Sequence, residues 1–293
     1  MLVMNVRDYL DNICDDLLAN SSTPRLDAEL LVCFALNKQR TWLRAHDDYE
    51  LNIKETNTLN KLVNRRIRRE PIAYITGTKE FYGRSFCVNK HVLVPRPESE
   101  SFIEIIKQLL HEHDSDIKQR EISITKGLGN SAYNRSTGFI HSVLDVGTGS
   151  GCLAITIKKE FPELFVTATD VSTHALKVAI ANAKSQGTDI VFKKQSLLTN
   201  DKQGYDIVVA NLPYVPDGQT HHSIAHEPEI ALFSGRDGLN HYQELFIQLK
   251  PKHIRYVLTE SLQDQHMRVR KLASDAGYEL VGTNGLVQLF NKQ

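Results

Sequence analysis

The sequence predicts an α/β protein, a doubly wound parallel sheet preceded by a small all-helical domain, and three observations predict it. Through about residue 75 the apolar residues recur at helical spacing only. From residue 143 onward, short β-branched runs alternate with helical patterns, as in a parallel sheet covered on both faces. Between the first of those strands and its helix lies a glycine-rich turn, Gly147-Thr148-Gly149-Ser150-Gly151.

Val6, Leu10, Ile13, Cys14, Leu17 and Leu18 share a helical face, the polar cluster 20–24 interrupts it, and residues 26–36 resume it as a helix pair. A further helix fits 54–69, where Leu59, Leu62, Val63 and Ile67 line one side until Pro71 stops the pattern. From Phe81 the period falls to two (Phe81, Phe86, Val88, Val92, Val94), which predicts a β-hairpin turning at Asn89-Lys90. Pro95-Arg96-Pro97-Glu98 leads into a helix to about Leu110, with Pro97 suited to its first position. Residues 111–140 are polar and without an apolar period, and are expected to form a surface insertion, in part disordered. Strands at 143–146, 165–169, 190–193 and 205–210 then alternate with helices at 152–161 and 173–185. Helices at 241–249 and 266–276 flank a strand at 256–259, and an Asn284-Gly285 hairpin (278–282 and 286–290) adds antiparallel strands. The division expected is 1–75 helical, 76–96 hairpin linker and 97–293 sheet domain.

With 41% apolar and 24% charged residues in 293, the chain is neither disordered nor fibrous. Lys+Arg and Asp+Glu are both 35, so a broad electrostatic grip on nucleic acid or on an anionic membrane is not expected. Cys14, Cys33, Cys87 and Cys152 form no CxxC pair, which suits buried thiols in a reducing compartment. No window reaches the roughly 18 apolar residues of a membrane span, and the first residues carry no export signal, so a cytoplasmic location is expected.

Two constellations carry chemistry. In the first, Asp145 precedes Gly147, and the third glycine comes one residue too early for a dinucleotide fingerprint, while Asp170 ends the next strand. A carboxylate at Asp170 suits a ribose diol, and one at Asp145 suits a cationic amino acid moiety with no pyrophosphate, a pairing that fits S-adenosylmethionine. In the second, Asn211-Leu212-Pro213-Tyr214 follows the fourth strand, at a carboxyl end where open sheets bind ligands. There an Asn oxygen and a backbone carbonyl could hold both protons of a planar NH₂ group and aim its lone pair, with Tyr214 stacked against it.

These segments, together with 69–77 (REPIAYITG), 80–83 (EFYG), 94–100 (VPRPESE), Glu227-Pro228, Ala231-Leu232 and 235–239 (GRDGL), resemble the HemK/PrmC family over nearly the whole chain. Its members methylate the side-chain amide of the glutamine in the Gly-Gly-Gln motif of peptide chain release factors. The resemblance implies a seven-stranded S-adenosylmethionine-dependent methyltransferase fold, with the helical domain recognising the release factor. It implies cofactor contacts from Asp145, Gly147, Thr148, Gly149, Gly151, Asp170, Ser196 and Asn211. It further implies substrate contacts from Asn211, Leu212, Pro213 and Tyr214, of which Asn211, Pro213 and Tyr214 are catalytic. Two departures stand out. Leu212 replaces the family's first proline and so lacks a fixed φ. Gln195-Ser196 replaces an acid near the adenine, where either side chain can still accept from the adenine amine.

The remaining candidates carry less. His221, His222 and His226 lack a companion ligand set and read as a solvated loop, with no metal expected. Arg65, Arg66, Arg68 and Arg69 read as a solvated helix end, and Cys152 as a packing residue. Glu260, at a strand end, receives no catalytic role. Competing functions are methylation of a glutamine in a ribosomal protein, methylation of an adenine amine in nucleic acid, and a binding module without turnover.

Overall fold

The computed structural model describes residues 4–125, 140–199, 201, 203–219 and 224–293, without the side chains of 114–125. They divide into two compact units, the first comprising the described parts of Met1–Lys79, Val88–Lys90 and Thr220–Glu227, the second the rest.

The first unit is helical, with β1 (Met4–Asn5), α1 (Val6–Leu17), α2 (Pro24–Leu36), α3 (Arg40–Ala45), β2 (Glu50–Leu51), α4 (Ile53–Ile67) and α5 (Ile72–Thr76). Asn5 caps α1 by accepting the Asp8 N–H at 2.8 Å, and Asn52 with Glu55 forms a reciprocal capping box on α4. The apolar faces of α1, α2 and α4 meet in one core around Leu10, Leu17, Leu31 and Leu59. Arg68 is exposed, as the sequence suggested of the whole arginine run, but Arg65 and Arg66 are engaged in ion pairs. Asp27 is buried and needs a cation, which Arg66 supplies at 2.7 Å, while Arg65 grips Glu70 with two bonds of 2.8 and 2.6 Å.

The hairpin is β3 (Thr78–Phe81) and β4 (Arg84–Cys87), turning at Tyr82-Gly83 rather than at Asn89-Lys90. Both turn residues have positive φ, 49° and 71°, as a two-residue turn with the twist of paired strands requires. Tyr82 is held there by Glu100, which accepts its N–H at 2.9 Å. Val88, Val92 and Val94 are buried without belonging to a strand, so their alternation reported burial, not pairing.

A 3₁₀ turn at Pro97–Glu100 opens into α6, Ser101–Thr125, which continues past Leu110 into the stretch read as an insertion. An apolar period is not needed there. Glu, Lys, Gln and Arg favour helix intrinsically, and no glycine or proline occurs before Gly127. The rest of that stretch, 126–139, lies outside the described residues.

The sheet follows: β5 (Ser142–Val146), α7 (Cys152–Glu160), β6 (Phe165–Asp170), α8 (Thr173–Gln186), β7 (Val191–Lys194), β8 (Ile207–Ala210), α9 (Asn240–Leu249), β9 (Tyr256–Glu260), α10 (His266–Asp275), β10 (Tyr278–Asn284) and β11 (Val287–Lys292). Its seven strands run in the order β10-β11-β9-β8-β5-β6-β7, and β11 is antiparallel to both neighbours. One face packs on α6 and α7 around Phe102, Ile106, Ile155 and Leu258, the other on α9 and α10 around Tyr242, Phe246, Val257 and Phe290. From β5 the chain winds outward through β6 and β7, then returns to place β8 on the opposite side of β5. That reversal opens a crevice at the carboxyl ends of β5, β6 and β8.

Candidate active site

At the carboxyl end of β5 the chain leaves the sheet through the glycine turn, whose Gly147 and Thr148 N–H groups both donate to the Thr169 carbonyl at 2.9 Å. Bare backbone is needed here, because a Cβ on Gly147 would stand 3.2 Å from Leu212 Cδ2. Asp170 ends β6 beside the turn. One carboxylate oxygen accepts the Gly149 N–H at 2.9 Å and the other the Ser172 N–H at 2.8 Å, so each keeps a lone pair for a ligand. Burial raises its pKa, against the backbone bonds that lower it.

Asp145 behaves differently. It is buried beneath the turn, accepting the Thr148 hydroxyl at 2.6 Å, and burial pushes its pKa up to about 7. Its carboxylate therefore braces the turn through Thr148. Cys152, nearby, is pushed up to about 12 by burial and has no thiolate character at neutral pH.

The crevice is a cavity of about 260 Å³. Of the residues expected around a cofactor, Gly147, Thr148, Gly149, Asp170, Ser196 and Asn211 line it, whereas Asp145 and Gly151 lie behind the wall. Val171, 48% exposed, and Leu197 add apolar surface. Gln195 also lines the wall, and its Nε2 donates to the Leu197 carbonyl at 2.9 Å, so its Oε1 is the end left to accept from a ligand.

On the far side of the cavity stands the loop that leaves β8. Asn211, Leu212 and Pro213 line the cavity, but Tyr214 turns its hydroxyl inward to donate to Glu260 Oε1 at 3.0 Å. Burial raises the Tyr214 pKa far above a phenol's usual range. Asn211 Nδ2 donates to Ser99 Oγ at 2.8 Å, and Ser99 Oγ donates to Glu260 Oε2 at 2.7 Å. With its NH₂ group so engaged, Asn211 has its Oδ1 left for the cavity.

The loop is clamped from below. The Leu212 N–H donates to the Tyr242 hydroxyl at 3.3 Å, and Gln265 Nε2 donates to the carbonyls of Tyr214 at 2.8 Å and Asp237 at 3.0 Å. Gly238, at φ 75°, passes so close under the loop that a Cβ would collide with the Tyr214 carbonyl.

Ser99 and Glu260 are the site residues that sequence reasoning missed. Glu260 did carry a signal: like Asp145 and Asp170, it is an acid at the carboxyl side of an apolar strand, and all three are buried. Ser99 carried none beyond its place in the Pro-Arg-Pro-Glu segment. Of the three histidines, His221 and His222 lie outside the described residues, and His226 bonds the Arg68 carbonyl at 2.7 Å. Among the described residues no cluster of three metal-ligating side chains occurs.

Known proteins resemble this chain in sequence and in fold. Residues 10–77 match the PrmC N-terminal domain and residues 133–281 the methyltransferase small domain. A release factor glutamine methyltransferase of Koribacter versatilis is 38% identical over 79% of this chain and 76% of its own length. One of Coxiella burnetii is 34% identical over 94% and 92%. A bifunctional methyltransferase of Rickettsia bellii is 34% identical over 92% of this chain, which spans 50% of that protein's length. Among solved structures, the hMettl16 catalytic domain in complex with a 3′UTR hairpin superimposes with a TM-score of 0.52 at 14% identity, covering 78% of this chain and 82% of its own, a likeness of fold. The seven-stranded sheet is that of the class I methyltransferases, and the chain belongs to the release factor glutamine methyltransferase family.

Proposed function

We propose that this protein transfers a methyl group from S-adenosylmethionine to the side-chain amide nitrogen of the glutamine in the Gly-Gly-Gln motif of a peptide chain release factor. The single observation that carries it is Asn211, whose NH₂ group is engaged by Ser99 while its carbonyl end is left at the wall of the cavity. An acceptor in that place suits a substrate that presents N–H, and the family supplies the substrate's identity.

The cavity residues fit the cofactor. Asp170 retains two lone pairs for a ribose diol, the bare backbone of Gly147 and Gly149 admits close approach, and Val171 with Leu197 offers apolar faces to a ring. Gln195 Oε1 or the Ser196 hydroxyl accepts from its amine. Asp145, turned into the glycine turn, serves this reading as a brace for Thr148. When bound, the cofactor supplies an electrophilic methyl group on a sulfonium.

The chain's own contribution is positioning. An amide nitrogen is a poor nucleophile because its lone pair is delocalised into the carbonyl. Asn211 Oδ1 and the Leu212 carbonyl would accept its two N–H protons, turn the nitrogen toward the methyl group and stabilise the positive charge that grows on it. Pro213 fixes the turn of the loop, and Tyr214 ties it to Glu260. Residues 1–75 would hold the body of the factor, 76–96 form the linker and 97–293 the catalytic domain, in the cytoplasm, where release factors work. Zero formal charge weighs against a nucleic-acid substrate.

Labelled cofactor offered with intact release factor, its Gln→Ala variant, duplex DNA and RNA tests this. Label should enter only the intact factor. Labelling of nucleic acid, or equal labelling of the variant, overturns the assignment, and no acceptor at all favours a binding module without turnover.

A further inference from the structure

We infer that Glu260 is a positioning residue that fixes, through Ser99, which end of the Asn211 amide faces the cavity, and that it thereby makes the site take a side-chain NH₂ and refuse a carboxylate; this rests on the reading above.

The inference follows from the direction of the hydrogen bonds. Two donors converge on the Glu260 carboxylate, the Ser99 hydroxyl at 2.7 Å and the Tyr214 hydroxyl at 3.0 Å, and the Asn211 amide reaches it through Ser99. An ionised carboxylate only accepts. The single Ser99 proton is therefore spent on Glu260, and Ser99 Oγ has only lone pairs to offer Asn211. An amide has a donor end and an acceptor end of nearly equal size, so the partner of one end decides what the other presents. Facing a serine that cannot donate, Asn211 turns its NH₂ inward and its oxygen outward. An oxygen outward welcomes an N–H and repels a carboxylate, and the buried charge of Glu260 adds to that repulsion.

The chain of constraints also says what reverses it. A glutamine at 260 keeps the shape but brings a donor. Its NH₂ can donate to Ser99 Oγ, the Ser99 proton then turns to Asn211, and the Asn211 amide can rotate to accept it. The cavity would then meet the substrate's NH₂ with another NH₂. Burial works toward the same end at low pH, since it raises the Glu260 pKa, with Glu98 adding to the rise.

The test uses the full chain with intact release factor, and as competitor the same factor carrying Gln→Glu in its Gly-Gly-Gln motif. In Glu260→Gln, kcat should fall about tenfold or more while cofactor affinity stays within about twofold, as for loss of an oriented transition-state partner. The Gln→Glu factor, a poor inhibitor of the wild type, should inhibit Glu260→Gln at least about fivefold better, a gain of roughly 1 kcal/mol. A merely structural role would weaken both factors alike, and that result, or an unchanged kcat, overturns the inference. If Glu260→Gln does not fold, Ser99→Ala decides, since it cuts the relay and leaves the carboxylate: relaxed discrimination supports the inference, intact discrimination overturns it. Failure of the wild type to methylate the intact factor is a separate outcome that overturns the functional reading itself.

Discussion

The side chain of Asn182, on α8, and the main chain of Cys87, at the end of the hairpin, exchange two hydrogen bonds. Cys87 N–H donates to Asn182 Oδ1 at 2.8 Å, and Asn182 Nδ2 donates to the Cys87 carbonyl at 3.0 Å. The same Nδ2 reaches the Ser150 carbonyl in the glycine turn at 2.8 Å. One buried amide thus ties the hairpin, α8 and the cofactor side of the cavity together. Asn182→Ala strips partners from three backbone groups, of which the Ser150 carbonyl is buried, and unfolding in urea should show a loss of about 1–3 kcal/mol. A loss below about 0.5 kcal/mol would mean that water replaces the amide.

Asp170→Ala should weaken cofactor binding by about 2 kcal/mol or more, the scale of a charge-assisted pair of hydrogen bonds. Titration calorimetry measures it. Unchanged affinity would put the ribose elsewhere.

Asn211→Ala should leave cofactor affinity nearly intact while methyl transfer falls about a hundredfold or more. The separation of the two readouts is the point of the experiment. Equal loss of both would make Asn211 a structural residue, since its side chain also holds Ser99.

Asp145 gives stability a pH dependence of known sign. Its pKa rises on folding to about 7 because the carboxyl is buried, so between the ordinary carboxylate range and that value the folded state holds a proton that the unfolded state has lost. Its favourable contribution is complete below about pH 4 and disappears as pH climbs toward 7. Asp145→Asn removes the titration, and the decline of melting temperature across that window should become shallower, whatever the variant's absolute stability. An unchanged slope would assign the pH dependence to other groups.

The fold was legible where periodicity and burial coincide. The inner strands β5, β8 and β9 are largely apolar and have glycine or an acid at or beside their ends, so their existence could be read. Val88, Val92 and Val94 show the opposite case, alternating for burial alone. The far half of α6 was hidden because a helix without an apolar face leaves only propensity to read. At the site, Asp170 and Asn211 were legible from chemistry at strand ends. Ser99 was not, because its importance comes from touching Asn211 and Glu260, residues remote in sequence and adjacent only once the sheet has formed.

The contact between Leu212 and Tyr242 changes how the family departure at this position is understood. A proline there would stiffen the loop through its ring but has no N–H to give Tyr242, whereas leucine gives that N–H and packs its side chain toward the glycine turn. Stiffness supplied by the ring is local and intrinsic to the tetrapeptide. Stiffness supplied by a bond to α9 is borrowed from the sheet domain, since the Tyr242 hydroxyl donates in turn to the Glu260 carbonyl. If this loop aims the reacting group as proposed, it is only as firm as its foundation, and damage to α9 should reach catalysis before it reaches the fold.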